Sequence, residues 1–179
     1  MRRPFSALTA LGTAAHHGFE LRAGVGLVFE PWLGRRPAIA MWTAVLAWWL
    51  ASARDGRFER LVAHANGAAL AGALVHFALW PWHAPRGVPA LTKAEGMTDD
   101  QLPAYNAVLR FWVVAATLAL ARETPPRARL AAVSGLLMGE PLRRSAQHHF
   151  AWAAEQARRE PDRWSPELLA ATPGRAPGR

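Results

Sequence analysis

Near the amino terminus the run His16-His17-Gly18-Phe19-Glu20-Leu21-Arg22 gathers two imidazoles, a carboxylate and a guanidinium. On a helix His16 and Glu20 stand four residues apart and share a face. Thr9, Thr13 and Gly24 extend the same stripe. A carboxyl held in an apolar setting has a raised pKa and can give or take a proton, and an adjacent imidazole can tune it or relay the proton. Glu20 and His16 are therefore the candidate catalytic pair. A purely structural account stands beside this one: Arg110 as the counter-ion of Glu20, with the histidines bonding between helices.

Further along the chain, His17, Trp42, Trp49, His76, Asn106, Arg110 and Trp112 are candidates for binding a substrate. Asn106 and Arg110 are four apart, a spacing that suits either an interhelical bond or a grip on an anionic group. Tryptophan faces attract cations, so Trp42, Trp48, Trp49 and Trp112 could hold a positively charged intermediate. A lone histidine on an apolar helix, such as His64 or His76, is more often a packing residue than a ligand. Glu30-Pro31 and Glu140-Pro141 each set a carboxylate before a proline, which reads first as a helix stop. His16-His17 and His148-His149 raise the question of metal or haem. No H-x-x-H or H-E-x-x-H pairing accompanies them, and the chain has no cysteine. The expectation is no metal and no cofactor.

Such groups are conspicuous only if apolar elements surround them, and the chain supplies those. Of its 179 residues, 51% are hydrophobic and 19% charged, which rules out general disorder and fits one domain. The uncharged run 37–53, the run 61–82 and the nearly apolar run 104–121 each approach the roughly 20 residues that cross a bilayer. Residues 5–33 form a fourth candidate, interrupted by the His-Glu-Arg group, and 130–138 is too short to cross alone. Trp32, Trp80 and Trp82 end their blocks as interfacial anchors do. An ionisable group inside such a bundle costs at least about 2.5 kcal/mol, so each needs a reason.

The net charge of +8 sits in short arginine clusters between these blocks, with no nucleic-acid motif; Lys93 is the only lysine. This predicts an all-α, polytopic integral membrane bundle of four to five transmembrane helices. A soluble helical bundle is the competing reading. Residues 1–160 form the domain and 161–179 a mobile polar tail. Loop charge places the chain in the cell membrane with a cytoplasmic N-terminus. The alanine- and arginine-rich composition fits a GC-rich bacterial genome. No strand pattern or repeat persists, and phosphate-binding and hydrolase motifs are missing.

The function expected is acid–base chemistry, an isomerisation or cyclisation, on an apolar isoprenoid- or lipid-like molecule in a Trp-lined intramembrane pocket. A proton-linked carrier or channel component, or an accessory subunit of a membrane complex, is the alternative. The expected partners are the lipid bilayer and a hydrophobic small molecule, not nucleic acid, with homo-oligomerisation left open.

Overall fold

The computed structural model describes residues 1–94 and 96–170 of the chain. The fold is all-α. Helix α1 runs Pro4–Arg22, a short α2 Glu30–Leu33, α3 Arg35–Asp55, α4 Glu59–Leu79, α5 Leu102–Glu123, α6 Arg129–Leu136, α7 Gly139–Arg159 and a short α8 Glu167–Ala170.

Prolines start several of these helices, where a missing N–H costs nothing, as Pro4 does in α1. Glycine ends α3: Gly56 adopts φ +72°, open to a residue without Cβ, and its N–H bonds Ser52 O. Helix α1 has no capping side chain of its own. Its free N–H groups are met from α5 instead. Glu123 accepts from Phe5 N at 2.7 Å, Ser6 N at 2.8 Å and Ser6 Oγ at 2.7 Å. A carboxylate at a helix N-terminus gains from both the hydrogen bonds and the helix dipole. Ser6 Oγ in turn accepts from Asn66 Nδ2 of α4 at 2.9 Å, so a buried polar chain ties three helices together.

These contacts fix the directions. Arg3 N bonds Ala53 O, and the Arg3 guanidinium donates to the carbonyls of Gly56 and Arg57. The start of α1, the end of α3, the start of α4 and the end of α5 therefore share one end of the bundle. Helices α1, α3, α4 and α5 alternate in direction. Helix α6 packs against α4, and α7 packs against α4 further along. The α4–α6 approach is backbone to backbone: a Cβ on Gly67 would strike Ala132 O, and one on Gly135 would strike His64 O.

Among the described residues, two helices are long and apolar enough to cross a membrane, α4 (Glu59–Leu79) and α5 (Leu102–Glu123). The expected four to five spans are not confirmed. The run 37–53 does become a long helix, but Trp42, Trp48, Trp49, Thr43 and Ser52 make α3 less apolar than its lack of charge implied. Residues 5–33 are not one helix. Helix α1 stops at Arg22, and residues 23–29 turn through Gly24 and Gly26, both at positive φ, into α2. The segment after Leu130 breaks into α6 and α7.

Two further expectations change. One short strand pair does form, although no strand pattern persists in the sequence: Trp82–His83 pairs antiparallel with Ala90–Leu91. Residues 161–170 are not a free tail. Trp164 and Leu168 are buried, Ser165 N donates to Gly24 O at 2.9 Å, and Ser165 Oγ donates to Gly96 O at 2.5 Å. The burial comes from distant partners: Trp164 and Leu168 cover apolar surface near Gly24, Gly26 and Gly96, which composition alone did not show. Residues 171–179 lie outside the described residues.

Candidate functional site

Helix α1 turns one polar stripe inward. Ser6, Thr9, Thr13, His16, His17 and Glu20 are all buried. Thr9 and Thr13 hydroxyls return to the carbonyls of Phe5 and Thr9, four residues back, and so spend their donors within the helix. The titratable groups are left facing one another. His16 Nε2 stands 3.3 Å from Glu20 Oε1, and His17 Nδ1 stands 3.0 Å from Glu20 Oε2. The i+4 and i+3 relations let a single carboxylate lie between two neighbouring imidazoles that leave the helix in different directions.

The far nitrogens of both rings, His16 Nδ1 and His17 Nε2, are buried with no hydrogen-bond partner. Ring contacts hold them instead. His16 stacks on Trp112 with centroids 4.9 Å apart and planes 22° off parallel, and His17 lies 4.1 Å from the Trp42 ring. His76 meets His16 edge-on at 4.7 Å. Its Nδ1–H donates to Gly72 O at 2.9 Å.

This cluster forms part of the wall of a cavity of about 220 Å³. Trp42, Val45 and Trp49 of α3 and Trp112 of α5 line it, with small residues of α4 and with Leu142, Ala146, His149 and Phe150 of α7. Helix α3 leans on α1 and barely touches α4. The cavity occupies the resulting cleft, and Val45, a lining residue, is 38% exposed there. Gly72 of α4 lies under the rim of the Trp112 indole, and Gly12 of α1 under its Cβ, so both glycines make room for that ring. The indole N–H groups of Trp42, Trp49 and Trp112 are buried without an acceptor.

Of the expected site residues, His16, His17, Glu20, Trp42, Trp49, His76 and Trp112 thus come together around one cavity. Trp48 packs against the core beside it. Asn106 and Arg110 do not line it, and this corrects the expectation for both. Asn106 Oδ1 accepts from Leu91 N at 2.7 Å and its Nδ2 donates to Leu91 O at 3.0 Å, so its amide is consumed in fixing the small ribbon. Arg110 is exposed, and its Nε donates to Asn106 O of its own helix. It is not the counter-ion of Glu20. The i+4 spacing was right, but the pair looks toward the ribbon and the surface, a rotation that helical period alone leaves open.

His149 is a site residue that sequence reasoning passed over. It is buried, lines the cavity and bonds Val25 O through Nε2 at 3.2 Å. The doubled His148-His149 was the available signal. Only one of the two points inward, while His148 is exposed and stacks on Trp32 at 4.8 Å. The ring of His149 and the carboxylate of Glu30 both crowd the space where Gly26 lacks a side chain.

Glu30 is buried. Its Oε1 accepts from Leu27 N at 3.2 Å, and its Oε2 has no partner. Burial pushes its carboxyl above the usual range, partly opposed by the positive charge of Arg35. A carboxyl that binds its proton more tightly folded than unfolded favours folding at acid pH and opposes it as pH rises through the folded pKa. Glu30→Gln, which keeps an acceptor for Leu27 N, is expected to raise the melting temperature at pH 8, with the gain disappearing toward pH 4. Thermal melts in detergent at the two pH values check this. A variant less stable than wild type at pH 8 would contradict it.

The chain matches no protein-family model, and no curated protein or solved structure is significantly similar to it.

Proposed function

We propose that the protein is a small membrane-embedded enzyme that moves a proton on an apolar, isoprenoid- or lipid-like molecule, isomerising or cyclising it. The observation that carries this reading is the His16–Glu20–His17 cluster set in the wall of an apolar, Trp-lined cavity within one chain. A carrier calls for a through path or related halves, and an accessory subunit for a polar face turned to a partner. A half-open cavity bounded by α1, α3, α4, α5 and α7 favours the enzyme.

Glu20 supplies the proton and His16 and His17 set its acidity. Protonating one carbon of a double bond leaves a cation on the other. Loss of a neighbouring proton to the carboxylate completes an isomerisation. Attack on the cation by a second double bond before that loss completes a cyclisation. The faces of Trp42, Trp49 and Trp112 stabilise the cation, an attraction worth about 2 kcal/mol or more without water. A cavity of about 220 Å³ is modestly larger than the roughly 150 Å³ that takes up benzene. It suits a short terpene-like molecule or the end of a longer chain. The three unpaired indole N–H groups favour one that carries an oxygen acceptor.

Lipid as the surrounding medium is supported by α4 and α5 and by the apolar side chains turned outward on several helices. Leu8 and Leu11 of α1, Ile39 of α3, Leu74 of α4, and Phe111 and Val114 of α5 are all exposed. The arginine-rich end that holds Arg2, Arg3, Arg54 and Arg57 faces the cytoplasm under the positive-inside rule, and the N-terminus with it. The cleft beside α3 gives a lipid-soluble substrate lateral entry.

Purification in mild detergent, followed by mass spectrometry of the extracted lipid, identifies the ligand. That compound, or its unreacted precursor, is then the assay substrate. Glu20→Gln is expected to retain ligand and lose turnover by at least 10³-fold, the scale of a general acid in a positioned site being about 10²–10⁴. Full turnover in this variant would remove Glu20 from the chemistry.

A further inference from the structure

We propose that His16, His17 and Glu20 bind a divalent first-row transition-metal ion of the Zn²⁺ or Fe²⁺ class. One ligand atom from each residue lies within 4.8 Å of the others, and all three residues are buried. The carboxylate–imidazole distances of 3.3 and 3.0 Å run to the two different oxygens of Glu20 and come near the edge lengths of a coordination polyhedron. Ligands about 2.0–2.1 Å from an ion stand roughly 2.9 Å apart at right angles and roughly 3.4 Å apart in a tetrahedron. The widest separation among the three donors, up to 4.8 Å, exceeds both values, so the side chains draw together around the ion as it enters.

The donor set selects the class. Two imidazoles and a carboxylate suit zinc or non-haem iron. Calcium and magnesium prefer all-oxygen shells, and copper(I) prefers sulfur, which a chain without cysteine offers only in methionine. Three protein ligands also leave a position for water or substrate, the arrangement of a reactive site and not of a structural one. All three residues line the cavity, so that position faces the space where a ligand would sit. Charge argues the same way. Among the described residues no arginine or lysine lines the cavity, and a divalent ion would bring positive charge to the carboxylate buried there.

Helical geometry explains how one turn does this. Adjacent histidines diverge around the helix, and the residue three and four positions on lies between them. Stacking on Trp112 and contact with Trp42 fix the two rings in place of the hydrogen bonds that usually orient such ligands. His76 is a ring's width from His16 and is held apart by its bond to Gly72 O.

The inference rests on the cluster being the reactive centre and deepens that reading. With the ion bound, Glu20 is held as a carboxylate ligand, and the exchangeable proton resides on water at the open position.

The test uses the full chain, purified in detergent and stripped with a chelator. Co²⁺ binding is followed by its visible absorption bands, and Zn²⁺ binding by equilibrium dialysis with elemental analysis. One equivalent per chain is expected, together with a higher melting temperature. His16→Ala, His17→Ala and Glu20→Gln should each weaken binding by about 100-fold or more, while His148→Ala, on the exposed neighbour of His149, should not. Where an alanine variant fails to fold, His17→Gln replaces it. Substoichiometric binding, or binding indifferent to these changes, overturns the metal site. If the stripped protein still holds its lipid and turns it over only with Glu20 intact, the ion is refuted and the carboxyl acid survives. If the ion binds with these ligands but the loaded wild-type protein turns over no ligand, the enzyme reading fails instead.

Discussion

Trp112→Ala is expected to lower the melting temperature by roughly 6–20 °C. Truncating a buried tryptophan costs about 3–5 kcal/mol, and each kcal/mol shifts the midpoint by about 2–4 °C in a chain of this size. The ring is 4% exposed and bridges three helices. It stacks on His16, lies against Gly12 of α1, and brings its far edge over Gly72 of α4, 3.5 Å from where a Cβ there would stand. Two glycines on two other helices make room for it, so its loss leaves a void that neither can fill. The same change removes the ring that orients His16. Ligand retention should therefore fall along with stability, and Trp112→Phe should recover much of both. Thermal melts and lipid content of the purified variants measure the two effects. A Trp112→Ala protein that melts within about 2 °C of wild type would show that the α1–α5 interface does not depend on this ring.

The second large effect is expected at Gly135. A methyl there would meet His64 O and would come within 2.8 Å of Ala68 N and 3.0 Å of Gly67 Cα. All three are backbone atoms, which cannot rotate away. Overpacking of flexible side chains costs about 1–3 kcal/mol, and Gly135→Ala should reach or exceed the upper end because whole helices must separate. The consequence passes to the site. Helix α7 begins three residues after α6 ends, and Leu142, Ala146, His149 and Phe150 of α7 line the cavity. Displacing α6 should open the cavity as well as loosen the fold. Ser134→Ala, next to it but losing only an exposed hydroxyl that pairs with His64 and donates to Ala131 O of its own helix, should change little. Comparing the melts of the two variants, and their lipid content, separates backbone contact from the loss of exposed hydrogen bonds. Gly135→Ala melting like wild type would mean that the close α4–α6 approach is not required.

What the amino-acid order determined by itself was mainly helical and local. Helices α3, α4 and α5 follow from the apolar runs 37–53, 61–82 and 104–121, bounded by proline and charge, although α4 stops at Leu79. The meeting of His16 and His17 with Glu20 follows from spacing within one helical turn, which needs no other part of the chain. Tertiary structure decided everything that depends on which helix stands beside which. Arg110 and Asn106 kept their predicted spacing but turned toward the ribbon and the surface, since the rotation of a helix is set by its neighbours. His149 and Glu30 became buried through the turn at Gly24 and Gly26, which carries residues 23–34 back over the bundle end. Trp164, Ser165 and Leu168 left the solvent because they found partners near Gly24 and Gly96. Local chemistry reaches as far as a helical turn, about four residues, and a cavity drawn from five helices is a property of their packing alone.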